Sequence, residues 1–301
     1  MARLLIKNGR VIDPANARDE IADVLLEDKS VLGVGRNLDA AGAEVFDAAG
    51  MVVAPGFIDM HVHLREPGFE HSETIETGSR AAAAGGFTSI CAMPNTAPVN
   101  DNPTVTRYII ERARRYAVVN VFPIGAITED SAGEKLAAIG SMKSSGVVAI
   151  SDDGRPVMNA RVMRRAMETA RSFDLPVIDH CEDLHLSAGG DMHEGRESTR
   201  LGLRGIPASS EDVMVARDIL LAEITGARFH VAHISSRRSV ELVAEARARK
   251  LPVTCEASPH HIALSDEDMA PYDSNYKMKP PLRSRRDVSG VIDGIVSGVV
   301  D

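Results

Sequence analysis

His61 and His63 stand one residue apart at the end of an apolar run, Pro55-Gly56-Phe57-Ile58-Asp59-Met60-His61-Val62-His63-Leu64-Arg65. Side chains alternate faces along a strand, so the spacing points both imidazoles to one side. Two imidazoles on one face at a strand end make half of a metal site. Arg65 follows two residues later, within reach of whatever such a metal would hold. Two surface histidines on an edge strand would show the same spacing, so the reading depends on what other segments supply.

They supply a good deal. Met93-Pro94-Asn95-Thr96, Ser151-Asp152-Asp153-Gly154, Asp179-His180-Cys181-Glu182-Asp183, His230-Val231-Ala232-His233-Ile234-Ser235 and Ser258-Pro259-His260-His261 each follow or end a short apolar run. Imidazole with carboxylate suits Zn²⁺ and similar divalent ions. A carboxylate has two oxygens and can bridge two ions, and a two-metal site generates a hydroxide nucleophile at neutral pH. Asp152 and Asp153 both stand as the bridge, with Asp153 preferred for its place beside the Gly154 turn. His233 is preferred to His230 because it lies at the strand end. His71, His185 and His193 fall in polar loop sequence and read as solvated. Lys143, the one candidate for a carbamylated bridge, lies in a polar segment and reads as a solvated helical lysine.

Elements that could bring these residues together follow from the pattern of the chain. From residue 55 onward, strand-like runs alternate with helix-like segments. The strands are the run within 55–65 that ends in His61-x-His63, then 88–93, 120–125, 147–150, 176–179, 228–232 and 252–256. Asn102 before Pro103 and Asn159 predict helix starts, as do Ser72, Ser209 and Ser284. Val240, Val243 and Ala244, and likewise Val213, Ala216 and Leu220, mark apolar helix faces. Repeated strand–helix units imply parallel strands with right-handed crossovers. No glycine-rich loop follows the first strand, which disfavours a doubly wound dinucleotide-binding sheet. Chemically capable residues after almost every strand are the pattern of a (β/α)8 TIM-like barrel. The expected fold is therefore α/β, a barrel over residues 55–301 that stops before its eighth strand. Residues 1–54 read as a small antiparallel β-sheet domain.

Composition narrows the function classes. The chain has 301 residues, 44% hydrophobic and 26% charged, as in an ordinary globular protein. A net charge of −9 argues against nucleic acid as a partner. Three cysteines, Cys91, Cys181 and Cys255, lack C-x-x-C spacing and suggest reduced thiols in a cytoplasmic protein. No apolar run reaches membrane-spanning length, and the apolar core of Met1–Lys7 is too short for a signal peptide.

The segments PGFIDMHVHLREPG, ETIETGSRAAAAGGFTSICAMPNT, AISDDG, DHCED, HEGRESTRLGLRGIPASSED, HVAHIS, ASPHH and KMKPPLR resemble dihydroorotases of class I, metal-dependent amidohydrolases. The resemblance runs from about residue 3 to the end. It implies reversible interconversion of (S)-dihydroorotate and N-carbamoyl-L-aspartate in pyrimidine synthesis, with a metal-bridging hydroxide as nucleophile. It implies that His61, His63, Asp153, His180 and His233 bind zinc, one or two ions with two favoured, and that Arg65 and Asn95 bind the small anionic substrate. A guanidinium fork suits the substrate carboxylate. Two departures stand out. The family's catalytic aspartate, in a TDHAPH-like motif on strand eight, would lie beyond residue 301; of a fragment, a natural short form and a gene-model error, a fragment of a longer enzyme is the favoured expectation. Lys279 replaces the asparagine that precedes PPLR in the family, and is expected either to meet the anionic substrate or to mark a different one. A hydantoinase- or allantoinase-like activity is the alternative, although such enzymes typically use a carbamylated lysine. A non-catalytic scaffold for aspartate transcarbamoylase is a second alternative, against which the retained histidines argue. The resemblance also suggests a homo-oligomer.

Overall fold

The computed structural model describes residues 3–39, 41–269 and 272–301, so Met1 and Ala2 of the opening segment lie outside the described residues. The chain divides into two compact units, Met1–Ile58 and Asp59–Asp301.

In the first unit, β1 (Arg3–Asp13), β2 (Arg18–Glu27) and β3 (Ser30–Gly35) form an antiparallel meander. β4 (Glu44–Asp47) and β5 (Val52–Val53) then pair with the other side of β1 in parallel. The sheet is thus mixed, not purely antiparallel. The chain turns at Pro14–Asn16 and at residues 28–29 to make two hairpins, but nothing local in the sequence shows that the chain after β3 crosses to the far side of β1. Val11, Ala22 and Val24 form its buried apolar cluster.

The second unit is built from parallel strands. β6 (Phe57–Val62), β7 (Phe87–Ala92) and β8 (Asn120–Pro123) are neighbours in that order. β9 (Ile150–Ser151), β10 (Val177–Asp179), β13 (Phe229–Val231) and β14 (Val253–Cys255) continue the series. A bridge between Gly125 and Ile150 joins the two groups. Backbone bonds step along the strand ends, from Met93 N to Val62 O at 2.9 Å round to Glu256 N on Val231 O at 3.1 Å. Seven parallel strands in sequence order give the barrel arrangement, with β6 and β14 the outermost among the described residues. Between β10 and β13 the chain makes a small excursion, β11 (Met192–His193) paired with β12 (Gly205–Ile206). This buries His193, against the expectation of a solvated loop.

Helices α1 (Ile75–Ala84), α2 (Pro103–Tyr116), α3 (Ile139–Ser145), α4 (Ala160–Ser172), α5 (Arg196–Leu201), α6 (Ser209–Thr225), α7 (Arg237–Ala248), α8 (Pro259–Ala263) and α9 (Arg285–Val296) connect them. Asn102, Asn159 and Ser284 cap α2, α4 and α9 through their side chains. Two expected caps move. α1 is capped by Thr74, whose hydroxyl accepts from Thr77 N while Thr74 N donates to Thr77, and Ser72 sits in the preceding turn. α6 has Ala208 at its cap, with no side-chain bond. Its buried face is Met214, Val215, Ile219 and Ala222, whereas Val213 and Leu220 are exposed. α6 is apolar on more than one face, so spacing alone does not fix its orientation. Val240 and Val243 of α7 face inward as expected.

The main core joins α4, α6 and α7 to β9, β10, β13 and β14 through Met163, Val215, Val243, Ile150, Val177, Phe229 and Val253. Each such side chain contributes about 1.5–3 kcal/mol when fully buried. The strand ends are held by this packing, and with them the polar residues that follow.

Candidate metal centre

The end of β6 presents His61 and His63 to the same place. The turn after β9 presents Asp153, the end of β10 His180, and the turn after β13 His233. Asp153 is the hub. Its Oδ1 lies 3.5 Å from His61 Nε2, 3.7 Å from His180 Nδ1 and 3.5 Å from His233 Nε2. Its Oδ2 lies 3.4 Å from His63 Nε2. His180 Nδ1 and His233 Nε2 approach to 2.8 Å. Asp153, His180 and His233 are buried, and His61 and His63 half-buried.

The far nitrogens of three imidazoles are also held. His61 Nδ1 meets Glu256 Oε1 at 2.6 Å, His63 Nδ1 meets Asn95 Oδ1 at 2.9 Å, and His180 Nε2 meets Glu182 Oε2 at 3.0 Å. A carboxylate or amide oxygen accepts, so each of these nitrogens carries the hydrogen. That leaves the inward nitrogen of each ring with a free lone pair when the imidazole is neutral. Lone pairs therefore converge on a carboxylate whose buried Oδ1 has no hydrogen-bond partner. These residues fit a divalent cation: nitrogen and oxygen donors, and oriented rings backed by acceptors.

Electrostatics agree. Burial alone would raise the Asp153 carboxyl, but His180, His233 and His61 hold it far below the ordinary range. Burial pulls the imidazoles of His61 and His180 down. Asp153 outweighs it in both, with Glu256 behind His61 and Glu182 behind His180, and raises them to about 10 and about 9. His63 and His233 are lowered, mainly by burial. Without an ion, this pocket gathers protons, and a metal would displace them.

The backbone at His233 is left-handed, with φ 35°. Such a conformation costs energy in a non-glycine residue and persists only where surroundings enforce it. Here Glu211 on α6 enforces it. Its carboxylate accepts the N–H groups of Ser235 and Ser236 at 3.1 and 3.0 Å and the hydroxyl of Ser235. The buried Arg283 guanidinium lies 3.6 Å from Glu211 and donates to Ser235 Oγ at 3.0 Å. Arg65, also left-handed at φ 60°, begins a loop anchored by Glu66, which accepts from Ile75 N at 2.9 Å and Arg112 Nε at 2.5 Å. The Arg65 guanidinium makes no ion pair among the described residues.

Other candidates fall elsewhere. Asp152 turns away and accepts from Ile127 N at 2.8 Å and Thr128 N at 3.2 Å, tying two strand ends together. His230 bonds Thr254 Oγ1 at 2.7 Å and faces Glu256. His261 bonds Pro280 O at 3.0 Å. Lys143 is exposed at the end of α3. Lys279 Nζ lies 3.0 Å from Glu182 Oε1, one residue removed from the ligand cluster. Sequence reasoning missed Glu182 and Glu256 as partners of the histidines. Both sit at strand ends that it had marked, yet nothing local to them shows which histidine they back. A second cluster, Asp179, Cys181 and Asp218, is buried. There Arg217 pairs with Asp218 at 2.9 Å, so an arginine already faces the cluster, and burial beside Asp218 raises the Asp179 carboxyl.

A sequence profile described as Dihydro-orotase-like matches residues 50–239. The chain belongs to the dihydroorotase family. Among curated members, the dihydroorotase of Solibacter usitatus is 70% identical over 297 residues, covering 99% of this chain and 69% of the relative. That of Pelotomaculum thermopropionicum is 57% identical, covering 99% and 70%. The family is one of cyclic amidohydrolases, and both of these relatives carry the name dihydroorotase. Solved structures with the same TIM-barrel fold include the L-hydantoinase of Arthrobacter aurescens, with a TM-score of 0.83 at 22% identity over 100% of this chain and 68% of that one. A D-hydantoinase from Thermus sp. gives 0.77 at 28% identity, covering 99% and 67%.

Proposed function

We propose that this dihydroorotase-family chain uses zinc at His61, His63, Asp153, His180 and His233 to interconvert dihydroorotate and N-carbamoyl-L-aspartate in pyrimidine synthesis. The observation that carries it is the convergence of four imidazoles on one buried carboxylate, in a chain 70% identical to a curated dihydroorotase. Bound there, a pair of divalent ions would supply a water-derived nucleophile at neutral pH and polarise the ring carbonyl.

The chain's own residues do the rest. Asp153 offers one oxygen to three imidazoles and the other to His63, which suits it to a bridging role between two ions. Arg65, with no ion pair among the described residues, is left to bind the substrate carboxylate through a two-pronged contact. Asn95 accepts from His63 through Oδ1, and its amide N–H₂ makes no hydrogen bond among the described residues, so it can donate to substrate. The proton transferred to the leaving nitrogen needs a general acid. The family resemblance assigns that role to an aspartate in a TDHAPH-like motif, which the 301 residues do not contain. No residue of this chain is assigned to it.

Small anionic substrate, homo-oligomeric assembly and a cytoplasmic setting belong to the same proposal. Among the described residues, no helix is long and apolar enough to cross a membrane. A hydantoinase-like activity is the second reading, favoured by the 28% identical D-hydantoinase from Thermus sp. that shares the fold. Assay of the zinc-loaded intact protein against dihydroorotate, hydantoin and allantoin separates the two. Ring opening of dihydroorotate alone supports the proposal, and turnover of hydantoin or allantoin without dihydroorotate overturns it.

A further inference from the structure

Around Asp153 stand two pairs of imidazoles, His61 and His63 from the end of β6, and His180 and His233, whose Nδ1 and Nε2 lie 2.8 Å apart. Each pair has one imidazole backed by a carboxylate, Glu256 behind His61 and Glu182 behind His180. The two carboxylates differ in what neutralises them. Glu256 turns its second oxygen to His230 Nε2 at 3.5 Å, and no lysine or arginine pairs with it among the described residues. Glu182 gives both oxygens to Lys279 Nζ, at 3.0 and 3.3 Å.

A carboxylate behind a ligand imidazole strengthens it as a donor. A cation on that carboxylate withdraws part of this effect, and its charge also opposes a dication nearby. Both influences have the same sign, and only one half of the site feels the ion pair directly. We propose that Lys279 is a positioning residue acting through Glu182, one that makes the His180/His233 half bind its metal ion more weakly than the His61/His63 half. This places Lys279 outside direct substrate contact, unlike the sequence expectation. The inference rests on the two-ion reading above.

Lys279 is well exposed, so the effect is of the size of a solvent-screened ion pair, about two- to fivefold in affinity. The test is a zinc titration of the chelator-stripped intact protein, wild type against Lys279→Gln and Glu182→Gln. Two binding steps are expected. Lys279→Gln tightens the weaker step about two- to fivefold, and that gain fades in about 1 M salt. Glu182→Gln weakens the same step about 10- to 100-fold. In each variant the tighter step stays put. A Lys279→Gln protein with both affinities unchanged and a raised KM for dihydroorotate makes Lys279 a substrate contact and overturns the inference. A shift confined to the tighter step overturns it too. A single zinc step in the wild type instead overturns the two-ion reading on which it stands.

Discussion

Replacing Arg283 with methionine should cripple the fold from the inside, at a residue that touches none of the five ligands. The Arg283 side chain is 2% exposed and its partner Glu211 3%. Removing one member of a buried ion pair costs about 3–5 kcal/mol, because the other charge stays buried without compensation. Arg283 also donates to Ser235 Oγ at 3.0 Å and Ile206 O at 3.3 Å, and methionine restores neither bond. Glu211 keeps the Ser235 and Ser236 donors, so the expected loss is about 3–4 kcal/mol, the lower part of that range. Urea denaturation of the intact protein near pH 7 measures it. The pH dependence has a definite sign. Burial works to raise the Glu211 carboxyl, but Arg283 and the Ser235 contacts hold it below its ordinary value. A depressed acid contributes stability above its unfolded pKa and loses it as pH falls through the folded one. The gap between wild type and variant should therefore narrow as the pH is lowered toward 4. Glu211→Gln combined with Arg283→Met should cost about 1–3 kcal/mol less than the two singles summed, since the pair then leaves no buried charge. A loss under about 1 kcal/mol for Arg283→Met, the scale of a surface pair, would refute the reasoning.

Other consequences are as specific. Arg65→Met should raise KM for dihydroorotate about tenfold or more while leaving zinc content unchanged, as steady-state kinetics and metal analysis would show. Asn95→Ala should lower zinc affinity about 10-fold or more, because His63 loses the acceptor that fixes its tautomer, and a chelator-competition titration checks this. In the metal-free protein, His61 raised to about 10 contributes stability that is complete below its ordinary value near 6.5 and lost as pH climbs through about 10. Zinc affinity should accordingly rise with pH and zinc uptake release protons near neutrality, which calorimetry in buffers of different ionisation enthalpy would detect.

Much of the candidate site's geometry is legible in the sequence. H-x-H on a strand, histidines at two later strand ends and a carboxylate before a glycine turn are local patterns, and parallel strands carry all of them to one end. The strand series itself was legible for the same reason, since each strand is short, apolar and bounded by turn residues. What escaped was non-local. Glu256 backs His61 across 195 residues of chain and Glu182 is tied to Lys279 across 97, pairings with no trace in local spacing. His193 looked solvated because its neighbours are polar, yet β11 buries it against β12. The α6 face was misread because the helix is apolar on more than one side, and the mixed character of the first sheet was hidden because β4 and β5 join β1 from a distance. Asp152 against Asp153 was close in sequence and wide apart in role. One accepts backbone N–H groups from the neighbouring strand end, and the other faces four imidazoles.

The most direct test of the account is the zinc content of dialysed intact protein, wild type against Asp153→Asn. An amide keeps the shape but loses the charge on which both halves of the cluster depend. The account predicts about two zinc ions per chain in the wild type and a loss of at least one in the variant. Equal zinc in both proteins would contradict it, because Asp153 would then not be the residue that joins the site.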